Sequence, residues 1–218
     1  MTGYKNITAS TQLKTLPGRL CGVFISSASG SPTIKITDGV GGTPAAAVKA
    51  TQVLTASTIA DGETVTIGTA GVNSRTYTFK TTLSGAAFEV LIGASDATAL
   101  DNLKSAINAT AGAGTTYGTG TTAHPEVSAT TNTDTQQTVE ALQAGTAGNA
   151  IATTTTCAAS TWGAAVLAGG LQAVELVVDT FTPVAGTYYK FGDENGISIK
   201  NALYVTVGAT VSANFFFD

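Results

Sequence analysis

His124 is the sole histidine of the chain and precedes Pro125. A nucleophilic triad would need it as the general base, facing a serine on a strand-to-helix elbow. No elbow motif accompanies it, and the surrounding GTGTTAHPEVS reads as a polar loop with an exposed histidine. Asp193-Glu194-Asn195 gathers the oxygen ligands that calcium takes. It lacks the spaced pattern of a dedicated loop, and it follows Gly192 as turn residues do. Residues 118–123 (GTGTTA) resemble a dinucleotide fingerprint in outline, but they neither follow a predicted strand nor open a helix, so the phosphate cradle is missing. The two cysteines, Cys21 and Cys157, show no CxxC or Cys/His spacing for zinc. They fall in different predicted modules, which argues against a disulfide between them. Cys21 reads as a small core residue of an apolar strand. The eight acids of residues 52–171 show no grouping into the carboxylate pair that glycoside hydrolysis requires. No catalytic set, metal site or cofactor site is therefore expected, and the chain does not read as an enzyme. Trp162, Tyr117, Tyr188 and Tyr189 offer a sugar-stacking face, or else ordinary core and cross-strand packing.

The elements that would position these residues are mostly strands. Of 218 residues, 43% are hydrophobic and only 11% charged. A core can form, and much of the surface must be uncharged or covered by a partner. Threonine occurs 40 times, and its β-branch favours pleated surfaces over helices. The net charge of −4 is unevenly spread. Residues 1–51 hold five bases against one acid, residues 52–171 three against eight, and residues 172–218 two against five. The basic leading part, with Lys5, Lys14 and Arg19, suits an acidic partner surface or is neutralised by the acidic strands that close the chain. Nucleic acid is disfavoured by this balance and by the lack of a basic-aromatic patch. No apolar run reaches membrane-spanning length, and the polar start lacks a signal-peptide core.

Residues 1–18 read as an extended arm or edge segment. A buried strand at 19–26 (RLCGVFIS), a turn at 27–32 and an alternating strand at 33–37 follow, with Asp38-Gly39 as a hairpin signal. Residues 51–171 read as a separate Thr/Ala/Gly-rich body with short strands and one helix. Ser95 caps that helix, Asp96 suits its positive end, and Leu100, Leu103 and Ile107 recur at helical spacing. Short strands then resume near 173–180, 187–191, 197–199, 203–207 and 211–217. Residues 19–37 alone could not bury a core, so these later strands must complete it. The expected fold is mainly β: a jelly-roll-like β-sandwich of 19–50 plus 172–218, with an inserted α+β domain, 51–171, whose helix lies on a sheet. Phe215, Phe216 and Phe217 close the last strand with Phe216 facing opposite to its neighbours, which predicts an interface or a covering loop.

Two stretches resemble known proteins. The insert, with DGETVTIG, ASDATALDNLKSAIN, GTTYGTGTTAHP, AGTAGN and WGAAVLAGG in order, resembles a module that recurs in virion proteins of tailed bacteriophages. The flanking PGRLCGVFISSASGSPTIKITDG and GISIKNALYVTVGATVSANFFF look like the small β-sandwich proteins of phage heads, fibres and baseplates. The resemblance implies a structural virion protein, assembled in the host cytoplasm, and supplies no catalytic residue. A capsid decoration protein is the leading expectation, with the sandwich and the basic arm (Lys5, Lys14, Arg19) docked on the major capsid protein or another virion protein. Such proteins commonly sit at symmetry axes, so a homo-oligomer, most simply a trimer, is expected. The alternative is a tail, fibre or baseplate component whose insert binds a host glycan through Tyr117 and Trp162.

Overall fold

The computed structural model describes residues 3–218. It is mainly β, with one α-helix among the described residues. The backbone separates into two compact units: Met1–Ala47 with Gln172–Asp218, and Val48–Leu171.

The first unit begins with β1 (Gly3–Ile7), β2 (Thr11–Lys14) and β3 (Gly18–Asp38). The second holds β4 (Lys49–Thr55), β5 (Thr64–Ile67), β6 (Arg75–Lys80), β7 (Glu89–Leu91), α1 (Asp96–Asn108), β8 (Val127–Asn132), β9 (Gln136–Ala144), β10 (Thr153–Thr155) and β11 (Thr161–Trp162). The chain then returns to the first unit as β12 (Glu175–Phe181), β13 (Tyr188–Lys190), β14 (Ile197–Ile199) and β15 (Leu203–Phe217).

The first unit is one seven-stranded sheet built around the antiparallel pair β3 and β15. Residues 27–32 do not reverse the chain as expected, and the strands expected near 203–207 and 211–217 are one continuous strand. The two stretches lie opposite each other: residues 27–29 pair with 210–212 and Thr33 with Gly208, and the ribbon bends at the slip between them without ending. Gly30, Ser31 and the opposing Ala209 sit at φ of 69°, 58° and 57°, where the register slips. Left-handed backbone at non-glycine residues is costly, which places the bend in short, small side chains. Beyond the bend β2 and β12 flank the pair. Before it β1, β13 and β14 do. Leu20, Val23, Ile25, Ala213 and Phe215 from one half share a core with Ile34, Ile36, Leu203 and Val205 from the other. The layers are thus sandwich-like halves of a single hydrogen-bonded sheet. Of the two expectations, an arm or an edge segment, β1 and β2 follow the second: they pair with β15 at the sheet's margin, and Ile7 and Leu13 enter the core. Asp38 anchors the closing turn, its buried carboxylate accepting from the backbone N–H of Lys200, Asn201 and Ala202 at 2.6, 2.7 and 3.0 Å.

The second unit packs two four-stranded sheets, in the orders β10-β5-β6-β7 and β11-β4-β9-β8, with α1 on one core. Ser95 caps the helix by accepting from the Thr98 N–H at 3.2 Å, and Asp96 accepts from the Thr58 and Ile59 amides at 2.7 and 2.9 Å. Leu100, Leu103, Ala106 and Ile107 are fully buried on its inner face. Ala109, not Gly112, ends the helix in left-handed backbone.

Candidate functional site

The structure redistributes the residues singled out above. His124 is not an exposed loop residue but 2% exposed. Its Nε2 lies 3.0 Å from the Ile67 carbonyl, which can only accept, so Nε2 carries the proton. Its Nδ1 then accepts from the Glu126 and Val127 amides at 3.1 and 3.2 Å. Burial pushes its pKa down, and nearby Arg75 acts in the same direction. The histidine is a staple between loop and sheet, with both nitrogens engaged. Glu126 beside it accepts from the Thr69 amide and hydroxyl, both at 2.8 Å, and from Asn73 at 3.2 Å.

Tyr117 does not present a ring to a glycan: it is 2% exposed, packed in the core, and its hydroxyl donates to the Thr110 carbonyl. Trp162 is partly buried against the same core and donates its indole N–H to the Thr154 carbonyl at 3.1 Å. Cys157 is buried, and burial pushes its thiol pKa up. Arg75 lies 5.0 Å from the Phe88 ring centroid, and Tyr77 packs edge-on against Phe88. Arg75 Nε and the Tyr77 hydroxyl are buried without a hydrogen-bond partner among the described residues, and burial pushes the Tyr77 phenol up. Among the described residues no cluster of three or more His, Cys, Asp and Glu could hold a metal, and no helix is long and apolar enough to cross a membrane.

The three expected docking cations are only partly available. Lys14 donates to the Asp218 carbonyl, and Arg19 donates to the Asn195 carbonyl at 3.4 Å. Lys5 lies exposed on β1, at the end of the sheet order, and reaches the Gln12 carbonyl at 3.3 Å.

The phenylalanines divide between the two faces. Phe215 is fully buried and Phe217 packs against the core, whereas Phe216 turns to the outer face. The register there aligns Tyr4, Phe216, Gly22 and Lys190 in one row across β1, β15, β3 and β13. The next outward row is Asn6, Asn214, Phe24 and Tyr188. Ring centroids are 6.4 Å apart for Tyr4–Phe216 and 5.9 Å for Tyr188–Phe216. A Cβ at Gly22 would collide with the Tyr188 hydroxyl, so the glycine makes room for that ring to lie across β3. Tyr4 and Tyr188 are 71% and 48% exposed. Beside the rings, Asn6 donates to the Asn214 side-chain oxygen at 2.9 Å, and Asn214 donates to the Ser26 hydroxyl at 3.1 Å. A cavity of about 400 Å³ adjoins Tyr188 and is lined also by Arg19, Lys190, Asp193, Glu194 and Asn195. Sequence reasoning found Phe216 by strand parity. It missed Tyr4 and Phe24, whose partners come from strands remote in sequence.

No known protein family, curated protein or solved structure matches this chain.

Proposed function

We propose that the chain is a structural component of a phage particle, most simply a capsid decoration protein that stabilises the assembled head. One observation carries the reading. The early strands β1–β3 and the late strands β12–β15 complete one sheet, and the stretch between them in sequence forms a second unit with its own core. The strand ends that flank the insertion are tied by Ala45–Val174 bonds in the first unit and Val48–Leu171 bonds in the second, all between 2.9 and 3.0 Å. That arrangement lets one unit attach while the other is carried as cargo. The phage-like motifs of both stretches support the same reading.

Attachment is assigned to β1. It is an edge strand, and an unpaired edge recruits a partner strand through backbone hydrogen bonds. Lys5 on it supplies a cation for an acidic rim. A protein that binds only the assembled shell raises the shell's resistance to rupture by mass action. Oligomerisation about a symmetry axis of the shell, as a trimer, belongs to the same proposal.

Immunogold labelling of particles produced from the encoding genome tests the reading. Gold on heads supports decoration, gold on tails replaces it with the tail or fibre reading, and unlabelled particles overturn both. Deleting residues 1–18 would be a poor test, because it strips Ile7 and Leu13 from the core. Lys5→Glu in an otherwise intact chain should reduce co-sedimentation with shells. Unchanged co-sedimentation would remove β1 from the contact.

A further inference from the structure

We propose that the outer face of the first unit binds an uncharged oligosaccharide, seated in the cavity beside Tyr188 and running over Phe216 to Tyr4. Sugar rings present two chemistries at once: apolar C–H faces and a rim of hydroxyls that both donate and accept. The site offers both in adjoining places. Tyr188, Phe216 and Tyr4 form a continuous strip of rings at 5.9 and 6.4 Å spacings, and exposed aromatic faces bury area at little entropic cost. The cavity beside Tyr188 mixes donors, Arg19 and Lys190, with acceptors, Asp193, Glu194 and Asp218, and with Asn195, which does both. Groups of both signs side by side supply donors and acceptors together, which is what a ligand rimmed with hydroxyls needs. The volume, about 400 Å³, falls within the usual range for small-ligand sites. Two features keep the strip as it is. Gly22 leaves the space that Tyr188 occupies, and the Asn6–Asn214–Ser26 ladder holds the adjacent row.

This site lies in a different unit from Tyr117 and Trp162, and it stands whether or not the particle reading does. The test uses the full chain and a panel of soluble neutral glycans: dextran, laminarin, galactomannan, xylan and chitooligosaccharides, with hyaluronate as the charged comparator. Binding is read by affinity electrophoresis. It is also read by protection of Cys21, a partly exposed free thiol that lines the same cavity, whereas Cys157 is buried. At least one neutral glycan should retard the protein and slow Cys21 alkylation. Tyr4→Ala removes a largely exposed ring and should leave the fold intact. It and Tyr188→Ala should each weaken binding about tenfold, as expected for truncating a tyrosine anchor. Trp162→Ala should change nothing. Absence of binding to every neutral glycan, retardation by hyaluronate alone, or binding that survives both tyrosine substitutions overturns the proposal.

Discussion

Mild acidification, between about pH 6.5 and 5.5, should destabilise the second unit mainly through His124, and the size of the effect follows from its contacts. The histidine is held neutral, with Nδ1 accepting from two backbone amides and Nε2 donating to the Ile67 carbonyl. A proton on Nδ1 would face two N–H donors inside the core. Folding therefore disfavours the charged form, and the folded pKa lies below the ordinary 6.5. The unfolded chain then binds more protons than the folded one. The stabilisation is complete above pH 6.5 and is lost as pH falls below it, with a slope of up to about 1.4 kcal/mol per pH unit. The carboxylates do not blur this window. Their ordinary values are 3.8 and 4.5, and the shifted ones, Asp61, Glu63, Glu89 and Glu126, move lower still. Because the chain has one histidine, most of any slope between about pH 6.5 and 5.5 belongs to it, and the carboxylates add theirs chiefly below that range. The sole tryptophan, Trp162, sits in the same unit, so its fluorescence during urea unfolding reports that unit. The expected result is a midpoint that is flat above pH 7 and falls steadily below pH 6.5. His124→Gln should abolish the slope and lower stability at neutral pH by about 1–3 kcal/mol for each backbone group left unpaired. A midpoint unchanged down to pH 5.5, or an equal slope in His124→Gln, would refute the reasoning.

Other substitutions separate the two units. Asp38→Ala leaves three backbone donors without their carboxylate and should cost the first unit several kcal/mol, at about 1–3 kcal/mol per buried donor. Amide hydrogen exchange should show lost protection in β3 and β15, with β5 and β6 unaffected. Gly118→Ala drives a Cβ into the Ala86 carbonyl, a backbone clash that no rotamer relieves. It should lower the tryptophan-reported midpoint by a margin typical of overpacking, about 1–3 kcal/mol. Leu103→Ala opens a cavity under α1 and should cost about 2–5 kcal/mol in the same transition.

Local chemistry made much of this legible. The helix announced itself because Ser95, Asp96 and the Leu100–Leu103–Ile107 spacing all act within a few residues of one another. The alternation of residues 33–37 and the parity of Phe216 were readable for the same reason. What escaped depended on pairing at a distance. Residues 27–32 carry every local signal of a turn, yet they stay in a strand because 208–210 run alongside them. His124 looked exposed because its partner, the Ile67 carbonyl, lies 57 residues earlier. Tyr117 sits in a glycine-rich polar stretch, and it is buried by the core of its unit, with a bridge to Val90 of β7. The ring strip was invisible because its members come from β1, β13 and β15, and nothing in the order of residues says that these strands will be neighbours.

The long partnership of β3 with β15 also sets the order of events at the ribosome. Leu20 and Ile36 are made early, but the strand that covers them arrives more than 160 residues later. At ordinary rates of translation that is a delay of roughly ten seconds or more. The intervening body contains its own core and can mature meanwhile, while a 21-residue strand with apolar inner faces at both ends waits with both edges bare. Nascent chains stalled before residue 203 should therefore be the ones that recruit chaperones and clump together, and emergence of residues 203–217 from the ribosome should end that exposure.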